Sequence, residues 1–434
     1  MTTESRAHIR WFRDTAPYIN AHRGKTFVLA LGGDVARHEN FANVIHDIAL
    51  LNSLGVQLVL IHGSRPQIEE RLDQAGLKST YHNGARVTDP SVMDHVKDAA
   101  GSLRAQIEAK LSMGLPNSPM QGSQIRVCSG NFVTAKPLGI VDGVDFHLTG
   151  KVRRIDAPGI RALTQAGSIV LLSPLGYSPT GEIFNLSLQE IAVECAAGID
   201  ADKLILLSDS GGLQDETGKL IRQCRVSENS LPVTAASDQR ELLETASRAC
   251  RKGVPRCHIV SYSDECALLE ELFTHDGSGT LVTEEAYEQS RWASIDDIGG
   301  ILELIEPLEE SGALLKRSRE LLETEIDQFR LLERDGRILA CAALYPYPSD
   351  GAGEIACIVS HPDYRGGQRG QRLLEELEKA ARKQNLQRVF VLTTQTAHWF
   401  LEQGFEERTR EDLPEQRLSL YNLQRNSKVF FKDL

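Results

Sequence analysis

The stretch KTFVLALGGD, residues 25–34, decides the fold. From Phe27 to Leu31 it is apolar at consecutive positions, and it stops at Gly32-Gly33. A strand without polar alternation has both faces covered, as strands of parallel sheets do. Beyond the glycines, Val44, Ile48, Leu51 and Leu54 recur at helical spacing and predict a helix over 42–54, which Gly55 ends. A second continuous apolar run, VQLVLI (56–61), follows. Strand, glycine turn, helix and strand make a βαβ unit. The pattern returns with a helix over 185–197, the strand LILLS (204–208), and a strand over 257–262 followed by a helix over 264–273. These predict an α/β fold, an open parallel-rich sheet sandwiched by helices.

The 434 residues leave room for two or three domains, and 41% apolar with 25% charged residues is an ordinary globular balance that excludes wholesale disorder. With 48 Lys+Arg against 60 Asp+Glu the formal charge is −12. Residues 289–434, with 20 against 25, share the acidity, so no basic half exists to hold a nucleic acid. No apolar stretch approaches about 18 residues, and the first 18 residues show no apolar signal core, so neither a membrane span nor a secretory leader is expected. Eight cysteines without a C-x-x-C pair, and twelve histidines without H-E-x-x-H, suggest free thiols in the cytoplasm and no metal.

Several front stretches resemble the amino-acid kinase family, and acetylglutamate kinase in particular: KTFVLALGGD (25–34), LVLIHGSRPQI (58–68), RVTD (86–89), DKLILLSDSGG (202–212) and ELFTHDGSGT (271–280). Its departures fall on the chemistry. The strand position that carries lysine in working kinases is Ala30, the phosphate-holding triple glycine is Gly63-Ser64-Arg65, and the Asn-x-Asn-Ala-Asp helix start is Asn185-Leu186-Ser187-Leu188-Gln189. Phosphoryl transfer is almost entirely positioned charge around the phosphates. Residues 25–285 are therefore expected to form a catalytically inactive regulatory domain. In arginine-sensitive relatives an N-terminal helix packs beside a pocket near the last helix. The resemblance implies such a helix over 10–21, within an oligomerisation arm 1–24, contributing Tyr18. It places Lys203, Glu271 and the loop Gly277, Ser278, Gly279 at the L-arginine-contacting positions.

Composition shifts over 275–288, a Gly/Thr/Glu-rich stretch read as the domain boundary. From 290 onward the sequence predicts a strand over 290–294, helices over 296–305 and 317–326, and strands over 329–333 and 338–345 joined by Arg334-Asp335-Gly336 as a hairpin. A strand over 354–360, a glycine-rich loop, a helix over 371–384, the strand RVFVLT (388–393) and a helix over 397–403 complete it. The loop Arg365, Gly366, Gly367, Gln368, Arg369, Gly370 lies between strand and helix, where backbone N–H groups and a helix N-terminus can take a pyrophosphate, with Arg365 or Arg369 adding charge. It resembles the acetyl-CoA loop of GNAT acetyltransferases, with Gln368 where that pattern has glycine. The resemblance implies a C-terminal GNAT α/β domain with a mixed sheet over 290–434.

The two halves together resemble the bacterial N-acetylglutamate synthases, and GNFVTAKPLGIVDGVDF (130–146), LKRSRELLETEI (315–326) and LPEQRLSLYNLQRNSKV (413–429) extend the likeness over nearly the whole chain. The family implies acetyl transfer from acetyl-CoA to the α-amine of L-glutamate, the first step of arginine synthesis, in a ring-like homo-hexamer. Arg317, Arg417 and Arg425, with Ser427 nearby, fall at its glutamate-holding positions; planar, always-charged forks suit carboxylates. Glu354 matches the base that must take the amine's proton. Backbone N–H groups near Cys357, Ile358 and Val359 are candidates to hold the acetyl carbonyl. Thr393 matches the hydroxyl that returns a proton to the thiolate. Two rival readings stay open, a phosphotransferase acting on acetylglutamate and a non-catalytic arginine sensor. Ala30 argues against the first, and the pyrophosphate loop with Glu354 against the second.

Overall fold

A computed structural model describes residues 12–13, 15–114, 119–226, 237–274, 276–284, 288–334, 337–362, 368–422 and 427–434. The chain divides into two compact units, Met1–Glu285 and Ala286–Leu434.

The first unit is organised on an eight-stranded sheet, in the order Gln223–Arg225, Thr280–Thr283, Cys257–Ser261, Lys203–Ser208, Thr26–Leu31, Gln57–His62, Ile169–Leu172 and Val127–Cys128. All its pairs are parallel except Cys257–Ser261 with Thr280–Thr283. The apolar run 27–31 serves both faces. Phe27, Leu29 and Leu31 enter one core and Val28 and Ala30 the other.

The helix predicted over 185–197 begins later, at Leu188, and Asn185 closes the short strand Ile183–Asn185. Ser187 caps the helix by accepting the Glu190 N–H at 3.1 Å, while Asn185 reaches across to Thr88. The helix predicted over 264–273 runs Ala267–Phe273, because Ser261 and Asp264 spend their side chains on the preceding turn. The N-terminal helix spans Ala16–His22, and Arg10 lies outside the described residues.

The second unit is a seven-stranded sheet, ordered Gln289–Trp292, Phe329–Arg334, Arg337–Tyr347, Ala352–Ser360, Arg388–Thr393, Lys428–Asp433, Glu406–Arg408. It is antiparallel apart from Ala352–Ser360 beside Arg388–Thr393, which the helix Arg369–Lys383 connects. That helix covers one face; Ile298–Glu310 and Arg319–Glu325 cover the other. The helix predicted over 317–326 starts at Arg319, capped by Ser318, and this leaves Arg317 outside it. The helix predicted from 371 starts at Arg369, which brings Gly370 into its first turn. Among the described residues no helix is long and apolar enough to cross a membrane, and no group of His, Cys, Asp or Glu is arranged to hold a metal.

Candidate active site

Two backbone irregularities shape the centre of the second unit. Pairing between Ala352–Ser360 and Arg388–Thr393 runs from Ala352↔Arg388 to Glu354↔Phe390 and stops, although both strands continue. The second is a bulge: Ala343 pairs with Ala356 but Cys341 with Val359, so two residues oppose one. Cys357, at φ +53°, absorbs it in the left-handed region. Past the end of the pairing, the edge of segment 355–360 that faced Arg388–Thr393 has no strand partner among the described residues, so its backbone can meet a ligand.

Glu354 sits at the vertex where pairing ends and is buried. Tyr345 is its direct cross-strand partner, so both side chains leave the same face. Arg417 grips Glu354 with both prongs, Nε to Oε2 at 2.5 Å and Nη2 to Oε1 at 3.1 Å. Burial opposes the charge on Arg417, but the carboxylate outweighs it and holds the guanidinium more firmly protonated than usual. Arg317 is half-buried; its own N–H donates to Glu309 at 2.9 Å, and the Cys357, Tyr345 and Glu325 groups surround its guanidinium. Lys316 beside it is exposed. The Tyr345 hydroxyl donates to Glu325 at 2.7 Å, and burial together with that carboxylate drives its ionisation far upward. Tyr347, on the same face, is pushed up to about 12 by burial and then by the charge of Glu354.

Cys357 is pushed up to about 11 by burial, although Arg317 pulls the other way. A neutral, buried thiol is a poor nucleophile, which argues against a covalent acyl-enzyme. Thr393 Oγ1 lies 2.9 Å from Thr396 Oγ1 and accepts the Thr396 N–H at 3.0 Å, so its hydroxyl is fixed at the start of the next helix. The Ser427 carbonyl accepts from Tyr421 at 2.6 Å.

At the helix Arg369–Lys383, Gln368 occupies the N-cap at φ +55° and makes no side-chain cap. The backbone thus takes the left-handed conformation that glycine adopts freely. Gly370 abuts Trp399 and Ile358, where a Cβ would lie 3.4 Å and 3.7 Å from them. The uncapped N–H groups fit a pyrophosphate. Arg369, one of the two arginines expected to add charge there, pairs its guanidinium with Glu288, with Nε at 3.0 Å and both side chains largely buried. Arg365, Gly366, Gly367 and Arg425 lie outside the described residues.

In the first unit the two glycine turns are closed by the chain itself. Gln67 donates to the Gly33 carbonyl at 2.7 Å, and a Cβ on Gly63 would lie 3.3 Å from Leu188. Ala30 is packed in an apolar cluster. A different site forms at the sheet's other end. Lys203, buried, lies 3.3 Å from His258 Nε2, and His258 Nδ1 lies 2.6 Å from Glu271 Oε1. Lysine can only donate and an ionised glutamate only accept, so the imidazole carries its proton on Nδ1. Burial and then Lys203 push His258 down and keep it neutral. Burial raises Glu271, but the hydrogen bond from His258, with the Gly279 and Ser278 N–H groups at 2.8 and 2.9 Å, brings it below its usual range. Gly277, at φ +63°, leaves room for this; a Cβ would sit 2.4 Å from Glu271 Oε2. Tyr18 is half-buried on the helix Ala16–His22, whose His22 reaches the Leu272 carbonyl at 2.8 Å.

The sequence reading missed His258, Glu325, Tyr345, Tyr347 and Glu288. His258 had a signal, as the one residue of the buried strand Cys257–Ser261 able to carry a positive charge.

The description of the amino acid kinase family matches residues 25–261, and that of the acetyltransferase (GNAT) family residues 300–405. The chain is 56% identical over 429 residues to the amino-acid acetyltransferase of Pseudomonas fluorescens strain Pf0-1, covering 98% of this chain and 99% of that one. It is 55% identical over 429 residues to the amino-acid acetyltransferase of Pseudomonas aeruginosa strain LESB58, with the same coverage. N-acetylglutamate synthase from Neisseria gonorrhoeae, complexed with coenzyme A and L-arginine, superposes with a TM-score of 0.91 at 37% identity over 98% of this chain and 99% of that one. The crystal structure of that enzyme with coenzyme A and N-acetyl-glutamate gives 0.64 at 38% identity with the same coverage. Fold and site thus define an acyltransferase, a GNAT domain following an amino-acid-kinase-like domain. The chain belongs to the amino-acid acetyltransferase family.

Proposed function

We propose that this enzyme is an N-acetylglutamate synthase. It transfers acetyl from acetyl-CoA to the α-amine of L-glutamate, giving N-acetyl-L-glutamate and CoA, the first step of L-arginine biosynthesis. The observation that carries the reading is a buried carboxylate, Glu354, at the point where two strands part, flanked by Arg317 and Arg417. Acetyl-CoA supplies an activated thioester carbonyl. The helix start at Gln368–Gly370 holds its pyrophosphate, with Arg365, Gly366 and Gly367 completing the loop. Glu354 takes the proton of the substrate ammonium, since only the free amine attacks. Backbone N–H groups at Cys357 and Ile358 face the charge that develops on the carbonyl oxygen. Arg317, Arg417 and Arg425, with Ser427, hold the two carboxylates of glutamate, and Thr393 protonates the departing thiolate.

L-Arginine acts at the first unit, where the hydrogen-bonded chain Lys203–His258–Glu271 and the loop Gly277–Gly279 offer a carboxylate to a guanidinium. That unit does not phosphorylate: an alanine replaces the kinase lysine, and Gln67 and Leu188 fill its turns. The enzyme works in the cytoplasm as a homo-hexamer joined through residues 1–24. The test is thiol release from acetyl-CoA with glutamate, with and without arginine. Glutamate-dependent release supports the reading, and its absence overturns it.

A further inference from the structure

Arg417 is expected to hold substrate, yet its fork is spent. Both N–H prongs go to the two oxygens of Glu354, and neither side chain is open to water, at 15% and 10% exposure. A carboxylate engaged on both oxygens has its best acceptor positions filled, and a proton arriving from an ammonium must displace a charge-assisted bond. The two partners differ in how firmly they are held. Glu354 belongs to the central strand Ala352–Ser360 and lies between two apolar clusters, with Tyr345 and Cys357 on one side and Ala352 and Phe390 on the other. Arg417 rides on the five-residue helix Glu415–Ser419, which buries none of its own residues. Leu418 and Leu420 beside it are 37% and 74% exposed, while Leu413 and Pro414, just before the helix, are buried and tether its start. A short helix tethered in this way can shift at smaller cost than a central strand.

Resting on the reading of Glu354 as the base, we propose that Arg417 latches Glu354 until the substrate's side-chain carboxylate takes the guanidinium away. The exchange replaces one fork–carboxylate pair by another of the same geometry, so it is nearly balanced in energy. It makes Arg417 a positioning residue that couples recognition to chemistry. The released Glu354 carboxylate then accepts one proton from the substrate ammonium, leaving a neutral amine and a carboxylic acid. An amino acid of the same shape whose side chain ends in an amide brings no charge to compete for the fork. It can bind and still find the base occupied. Discrimination between acid and amide side chains should therefore appear in kcat as well as in KM.

The test is steady-state acetylation of L-glutamate and L-glutamine at saturating acetyl-CoA by the full chain and by Arg417→Gln. General base catalysis is worth about 10²–10⁴-fold, so the parent's kcat for glutamine should trail that for glutamate by on the order of 10²-fold. In Arg417→Gln the base has no latch, and the ratio of the two kcat values should shrink at least about tenfold, whatever happens to KM. A residue that merely braces the fold or holds glutamate would lower both rates or raise KM and leave the kcat ratio alone; an unchanged ratio overturns the proposal. If Arg417→Gln does not accumulate as folded protein, Arg417→Lys, which keeps the charge but loses the fork, reads the same ratio and should lower it partway. Glu354→Gln separates the two layers. A parental rate there removes the base reading itself, whereas a large loss with a persistent Arg417→Gln ratio removes the latch alone.

Discussion

Tyr345 stands directly across from Glu354 in the antiparallel pair, and its hydroxyl donates to Glu325 at 2.7 Å. One face of the sheet thus collects a carboxylate, a phenol and the guanidinium groups of Arg317 and Arg417. If Glu354 takes the substrate's proton, Glu354→Gln keeps the shape and loses the base. Turnover should fall about 10²–10⁴-fold with acetyl-CoA affinity nearly constant. Calorimetry for the cofactor and thiol release for the rate check both halves, and an undiminished rate at neutral pH would remove Glu354 from the role.

Tyr345→Phe tests the layer behind. The phenol touches Glu325 and the Arg317 guanidinium, so its loss should loosen Arg317 and leave the reacting groups in place. A hydrogen bond of this kind is worth about 0.5–1.5 kcal/mol, and KM for glutamate should rise roughly two- to tenfold with kcat within about twofold. A fall in kcat at constant KM would instead make Tyr345 a participant in the chemistry.

Much of this architecture is legible in the sequence because burial on both faces forces consecutive apolar residues, as in the strands Thr26–Leu31 and Arg388–Thr393. The active-site details are not. The bulge sits on Cys357 and the left-handed N-cap on Gln368, where no glycine announces a positive φ. Tyr345 and Glu325 read as a strand residue and a helix-face charge until the register joins them. Arg417 and Glu354 meet across 63 positions, and Arg369 finds Glu288 across 81, so tertiary packing alone reveals which charges are already paired. Lys203, Glu271 and Gly277–Gly279, placed by family resemblance, border one hydrogen-bonded network whose centre, His258, no resemblance pointed to.

The helix Phe41–Ser53 supplies a prediction about pH. Burial pushes the Asp47 carboxyl up to about 7, against an ordinary 3.8. The folded state therefore holds a proton that the unfolded chain has released between about pH 4 and 7. Stability from this group is full below the lower value and is lost as pH rises through the upper one. Asp47→Asn removes the cost of the buried charge. It should stabilise the protein by on the order of 2–4 kcal/mol at pH 8 and by less than about 1 kcal/mol near pH 4. Denaturant unfolding of both proteins at the two pH values measures the difference; an equal effect at both would show that Asp47 is not the group responsible.

The last prediction concerns arginine. Glu271 gathers the His258 Nδ1–H and two backbone N–H groups, and Gly277 fits beneath it only because it lacks a Cβ. If arginine acts here, Glu271→Ala should abolish the arginine response and leave basal acetyl transfer nearly intact, since every one of these residues belongs to the first unit. Gly277→Ala should do the same by crowding the carboxylate and straining a left-handed residue, without removing any charged group. Effector coupling of this kind is typically about 1–3 kcal/mol, a five- to 150-fold change in apparent affinity, well within reach of a dose-response curve. Competition is the rival explanation, because arginine carries the same amino-acid head as glutamate and can enter the catalytic cleft. The rivals part on one measurement, the arginine dose response of Glu271→Ala and Gly277→Ala at fixed glutamate. Curves that coincide with the parent's would move arginine out of the Lys203–His258–Glu271 network and into the cleft beside Glu354. A lost response at parental basal rate would keep it in the first unit.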